Sequence, residues 1–106
     1  MVMRGEVWLV ALDPTVGSEI QKTRPGAIVS PDELNGALRT ALIVPMTTGG
    51  RPAGFRVPVT FRGASGLLLP DQMRAVDVRR LVRRLGQLED DTLAALLDAL
   101  GQLFAP

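Results

Sequence analysis

Hydrophobic and polar residues follow two different periods along this chain, and the change of period divides it. Through residue 88 the apolar residues come in short β-rich runs separated by Gly, Pro, Asp and Ser. Residues 6–12 (EVWLVAL) predict a strand, and residues 26–30 (GAIVS) a short buried one. A third strand is predicted at 40–46 (TALIVPM), where Pro45 suggests an edge or a terminus. Residues 55–61 (FRVPVTF) alternate F-x-V-x-V-x-F, the period of a half-buried strand. Residues 67–76 (LLLPDQMRAV) predict a strand broken at Pro70, and residues 82–88 a last short one. Turns or single helical turns are expected at 31–36, 62–66 and 77–81.

From residue 89 the period becomes helical. Leu93, Leu96, Leu97, Leu100, Leu103 and Phe104 fall on one face of a predicted helix over 89–104. Asp90 or Asp91 is expected to cap it, and its acidic start suits the macrodipole. Six or seven short strands and one helix predict a small curved antiparallel sheet or barrel with the helix packed on it.

Composition narrows the chemistry. The chain has 106 residues and 46% apolar content, which suits one domain over 1–106 with a single core. It has no Cys, no His and no Tyr. Disulfides, thiolate nucleophiles, Cys/His zinc sites and imidazole proton transfer are therefore excluded. No apolar run is long enough to span a bilayer and no signal-peptide pattern is present, so the cytoplasm is the expected compartment. The net charge of +1 conceals an asymmetry. Residues 1–50 sum to −1, residues 51–88 to +6 and residues 89–106 to −4. A basic middle fits an anionic partner, and a solvated arginine face fits it as well.

Two polar loops hold the candidate chemistry. Residues 13–25 (DPTVGSEIQKTRP) form an unusually long loop carrying Ser18, Glu19, Lys22 and Arg24. Residues 47–54 (TTGGRPAG) pair the hydroxyls of Thr47 and Thr48 where a strand ends. Polar groups at strand ends are typical of sites on a rigid scaffold. A loop clasp between Glu19 and Lys22 or Arg24, with two threonines in a turn, accounts for the same residues.

Five stations in order distinguish the two. They are Arg4-Gly5-Glu6-Val7-Trp8, Asp13-Pro14-Thr15 with Gly17-Ser18-Glu19, Thr23-Arg24-Pro25, Val44-Pro45-Met46-Thr47-Thr48, and residues 69–77 (LPDQMRAVD). Taken together they resemble the MazF/PemK toxin endoribonucleases, the mRNA interferases of type II toxin–antitoxin systems. The resemblance covers nearly the whole chain. It implies a mainly β, SH3-like (CcdB/PemK-like) curved sheet with a C-terminal α-helix, assembled as a homodimer. It implies sequence-specific cleavage of single-stranded RNA without a metal or other cofactor. The products would be a 2′,3′-cyclic phosphate and a 5′-hydroxyl. The implied partners are the RNA and a cognate MazE-like antitoxin with an acidic, disordered tail; no membrane is involved.

The family's catalytic arginine and threonine match Arg24 and Thr47. Glu19 is the carboxylate that orients Arg24 or accepts a proton. Ser18, Thr48, Gln72, Arg74 and Arg56 are the expected substrate contacts. A guanidinium can hold a phosphate bidentately and stabilise phosphorane charge, but it is a poor base at neutral pH. Asp71, Asp77 and Glu19 match no two-metal arrangement. Trp8, Phe55 and Phe61 are expected in the core or at a dimer interface. The alternative is a non-catalytic, CcdB-like toxin that poisons a protein such as gyrase, since fold alone does not fix function.

Overall fold

The computed structural model describes residues 1–14, 16–19 and 22–106. Its elements are β1 (Glu6–Ala11), β2 (Thr23–Ile28), α1 (Asp32–Ala37), β3 (Thr40–Thr47), β4 (Val57–Phe61), β5 (Ala64–Leu68), β6 (Arg74–Asp77), β7 (Leu81–Gln87) and α2 (Asp90–Phe104). Single 3-10 turns at Pro70–Gln72 and Val78–Arg80 flank β6. All described pairings are antiparallel. The strand order is β4-β5-β3-β2-β1-β7, and β6 also pairs with β3. The sheet curls into a half-barrel that carries the C-terminal helix, the expected fold class. Register shifts in the β1–β7 pair, at Val7/Trp8 and Leu9/Val10, add to the twist.

Period-two alternation gives the sheet two buried faces. Val7, Ala27, Val44, Met46, Val59 and Leu68 lie on the first, and α2 covers it with Leu93, Leu96, Leu97 and Leu100. Val10, Ile28, Ala41, Ile43 and Val76 lie on the other, with Trp8 packed against them. Leu96 on the helix and Ile43 on the sheet are both fully buried. Burying one such side chain stabilises the fold by about 1.5–3 kcal/mol.

Strand β3 holds the sheet together. On one edge it pairs with β2, Ile28 opposite Ile43 and Gly26 opposite Pro45. On its other edge it pairs first with β6, from Thr40 to Ile43, and then with β5, at Met46 and Thr47. Pro45 sits between those partners. Its carbonyl accepts the Leu69 N–H at 2.9 Å, so the N–H it lacks would also have pointed into the gap between β5 and β6. Pro45 therefore lies inside β3 rather than ending it. The expectation of an edge or terminus fails because the strand changes partner there.

Four other boundaries differ from the sequence reading. Strand β2 starts at Thr23, three residues before the expected 26, despite Pro25. The β1 side of that strand takes the carbonyls of Lys22 and Ile28, so Pro25 faces the opposite edge, beyond the last β2–β3 pair. No ladder donor is lost there. Phe55 has φ +70 and lies outside β4, 45% exposed, so it belongs to neither the strand nor the core. The expected turn at 62–66 closes at Arg62 and Gly63, and β5 begins at Ala64. Helix α2 starts after Glu89 with no side-chain cap, and Asp90 and Asp91 occupy its first turn. Phe104, 69% exposed, is the last residue of the helix and falls off the packed face.

Gly66 marks the closest approach of β5 to the end of β3. A Cβ there would meet the Thr47 carbonyl oxygen at 2.1 Å. We expect Gly66→Ala to destabilise the protein by about 1–3 kcal/mol, as overpacking does. Gly54→Ala, in open space, should stay within about 0.5 kcal/mol of wild type. Denaturant unfolding of the two variants checks this; equal stability would show that the β3–β5 contact yields freely.

Candidate functional site

The break in the β3 ladder opens a cavity of about 580 Å³. Its walls are Pro45 from β3, Asp71, Gln72, Met73 and Arg74 from the turn into β6, Leu12 at the exit of β1, and Ser18 and Glu19 from the β1–β2 loop. Four of the eight expected site residues thus line one space: Ser18, Glu19, Gln72 and Arg74. They come from two segments far apart in sequence, brought together because β1 and β6 share the Val10–Val76 face.

Arg24 and Thr47 lie at the rim of the same face. Paired residues in an antiparallel ladder share a face, and alternate residues repeat it. Gly26 pairs with Pro45 and Ile43 with Arg74. Two residues on from the first pair stand Arg24 and Thr47, so both belong to the face that carries Pro45 and Arg74. Arg24 is exposed at the start of β2, opposite Val10. Thr47 is half-buried at the end of β3, opposite Leu67. Thr48 is exposed just beyond the strand and, like Arg24 and Thr47, does not line the cavity.

Two further candidates make contacts of their own. Glu19 accepts a hydrogen bond from the Val16 N–H, closing a turn within its own loop. Arg56 does not point alone into solvent. Its Nε and Nη2 donate to the two oxygens of Asp71 at 3.2 and 3.0 Å, and its Nη1 donates to the Arg51 carbonyl. This fork ties the β3–β4 loop to the cavity wall and neutralises an aspartate that lines it. Asp71 drew attention in sequence only as a metal ligand to be rejected; its role as Arg56's partner depends on a contact across fifteen residues. Among the described residues no group of three or more carboxylates gathers as a metal cluster.

The basic middle of the chain resolves into distinct jobs. Arg79 pairs with Asp77 next to it, and Arg84 with Glu6 across the sheet. Arg74 and Arg80 donate to backbone carbonyls instead, and among the described residues neither is in an ion pair. Arg74 lines the cavity, so its charge stays on that side. Trp8 is half-buried beside the core and donates its indole N–H to Glu6, as befits a packed rather than a stacking tryptophan.

This geometry can be set beside known proteins. The family of PemK-like, MazF-like toxins of type II toxin–antitoxin systems matches residues 3–104. Endoribonuclease PemK of Escherichia coli is 40% identical, over 94% of this chain and 80% of its own. The chain belongs to this family. Among solved structures, MazF from Deinococcus radiodurans superposes with a TM-score of 0.85 at 29% identity, covering 96% of this chain and 94% of that one. A MazE–MazF structure from the same organism gives 0.77 at 28% identity, covering 98% and 95%. Among the described residues of this PemK/MazF-family toxin, no helix is long and apolar enough to cross a membrane.

Hydrogen bonds from Arg56 hold the Asp71 carboxyl below its ordinary value, against burial, which raises it. A carboxyl lowered in the folded state stabilises the fold above its ordinary value near 4. The contribution is lost as pH falls through the lower, folded value. Because Asp71 is 41% exposed, solvent screens the pair and its worth is modest. In Arg56→Gln, the Asp71 resonance should titrate at a higher pH by NMR. An unchanged midpoint would contradict the fork.

Proposed function

We propose that this toxin is a ribosome-independent, metal-independent endoribonuclease that cuts single-stranded RNA at short motifs and so halts translation and growth. The observation that carries the reading is the common face shared by Arg24, Thr47 and the cavity of Ser18, Glu19, Gln72 and Arg74. The endoribonuclease activity of PemK supports it.

The chemistry follows from those groups. An RNA 2′-oxygen attacks the adjacent phosphorus in line, the P–O5′ bond breaks, and a 2′,3′-cyclic phosphate and a 5′-hydroxyl result. Negative charge builds on the non-bridging oxygens and on the departing 5′-oxygen. The Arg24 guanidinium offers two parallel N–H donors for that charge, and the Thr47 hydroxyl offers a third. One preorganised donor of this kind is worth on the order of 10²–10³ in rate. Arg24 serves as electrostatic stabiliser and as acid toward the leaving oxygen. Glu19, in the cavity wall, is the carboxylate available to take the 2′-hydroxyl proton. Ser18, Gln72 and Arg74 contact the bases and phosphates, and Thr48 lies at the strand end that leads into the β3–β4 loop. Bases splayed from the stack are read on their edges, which makes that loop a determinant of the motif.

In this reading the toxin is a cytoplasmic homodimer restrained by a MazE-like antitoxin, as the MazE–MazF assembly of Deinococcus radiodurans suggests. Purified protein incubated with a long RNA in EDTA should yield fragments with cyclic-phosphate and 5′-hydroxyl ends. Arg24→Ala should lower the rate by on the order of 10²-fold or more while keeping the fold. Intact RNA together with gyrase inhibition would favour the binding-only toxin instead.

A further inference from the structure

Two arginines grip the exit of β1. Arg80, in the 3-10 turn after β6, sends one Nη1 to both the Ala11 carbonyl, at 3.1 Å, and the Asp13 carbonyl, at 2.6 Å. Arg74 takes the carbonyl between them, Leu12, at 3.2 Å. Three consecutive carbonyls at the neck of the β1–β2 loop are therefore held from residues more than sixty positions away. The neck is closed from within as well: the Leu12 N–H donates to the Lys22 carbonyl and the Lys22 N–H to the Asp13 carboxylate, both at 2.9 Å. Arg79, one residue earlier, does nothing of the kind. It is 88% exposed and pairs with its neighbour Asp77.

We propose that Arg80 is a positioning residue: it fixes the neck of the β1–β2 loop so that Ser18 and Glu19 meet the cavity and Arg24 enters β2 in register. The role rests on the proposed RNA cleavage for its kinetic consequence, but the clamp itself is a property of the fold. A charge-assisted bond from a guanidinium to a carbonyl is stronger than a neutral one. Here two such bonds share a single donor nitrogen, so losing Arg80 releases both ends of the neck together. Misplacing reacting groups by about 1 Å can cost on the order of 10² in rate. Arg80 has no carboxylate partner among the described residues, and its two carbonyl bonds both go to the neck.

The test uses the full chain with Arg80→Met, Arg80→Lys and the charge-matched control Arg79→Gln. Each is measured for cleavage of an RNA oligonucleotide, for amide exchange of Val16–Glu19 and for thermal unfolding. Arg80→Met should lower kcat ten- to a hundredfold with KM within about threefold, and should speed exchange in the loop. Arg80→Lys keeps a charged nitrogen and should recover at least part of both, which separates positioning from a failure to fold. Arg79→Gln should keep kcat within about twofold. Arg80→Met with wild-type exchange, or with faster exchange and unchanged kcat, would overturn the proposal. Absence of cleavage in the wild type would refute the function instead, and the exchange measurement would still decide the clamp.

Discussion

Pro45 cannot donate a hydrogen bond, and the site is built around that missing bond. A central strand tolerates proline only where no ladder donor is needed. Strand β3 meets the condition by changing neighbours at Pro45, from β6 on one side to β5 on the other. The chain between those neighbours leaves the ladder as the Pro70–Gln72 turn. The turn supplies the cavity wall, and the same gap brings Arg74 beside Leu12. Had the ladder continued unbroken, those side chains would lie along a filled sheet edge with no space to enclose.

Around this gap the charges are sorted by what they hold. Arginines that lie near carboxylates are neutralised: Arg56 by Asp71, Arg79 by Asp77 and Arg84 by Glu6. Arg74 and Arg80 bind carbonyls, which hold a guanidinium without cancelling its charge. The cavity wall thus includes one cation, Arg74, that is fixed in position and carries no carboxylate partner among the described residues. The basic block counted along the chain divides into surface pairs and a small set that shapes the field at the site.

Much of the fold was legible because the strands follow period two and the helix follows 3.6. The Leu face of α2 and the Val57–Val59–Phe61 side of β4 pack as their spacing requires. What the pattern misplaced has local causes. Phe55 continues the alternation on paper but takes a left-handed backbone, which ends the strand's periodicity. Pro25 and Pro45 read as terminators because sequence does not record which edge of a strand lacks a neighbour. Of the site, Ser18, Glu19, Gln72 and Arg74 were visible through family motifs. The parts set by long-range contacts were not: Asp71 as Arg56's partner, and Arg80 as distinct from the adjacent Arg79.

In the proposed mechanism Arg24 and Thr47, rooted on different strands, act as one device on the same phosphate. Groups that act together on one transition state are non-additive when removed. A double-mutant cycle on kcat for RNA cleavage, with Arg24→Ala, Thr47→Ala and both, measures this directly. The double variant should be scarcely slower than the slower single one. Losses that multiply in full would contradict it.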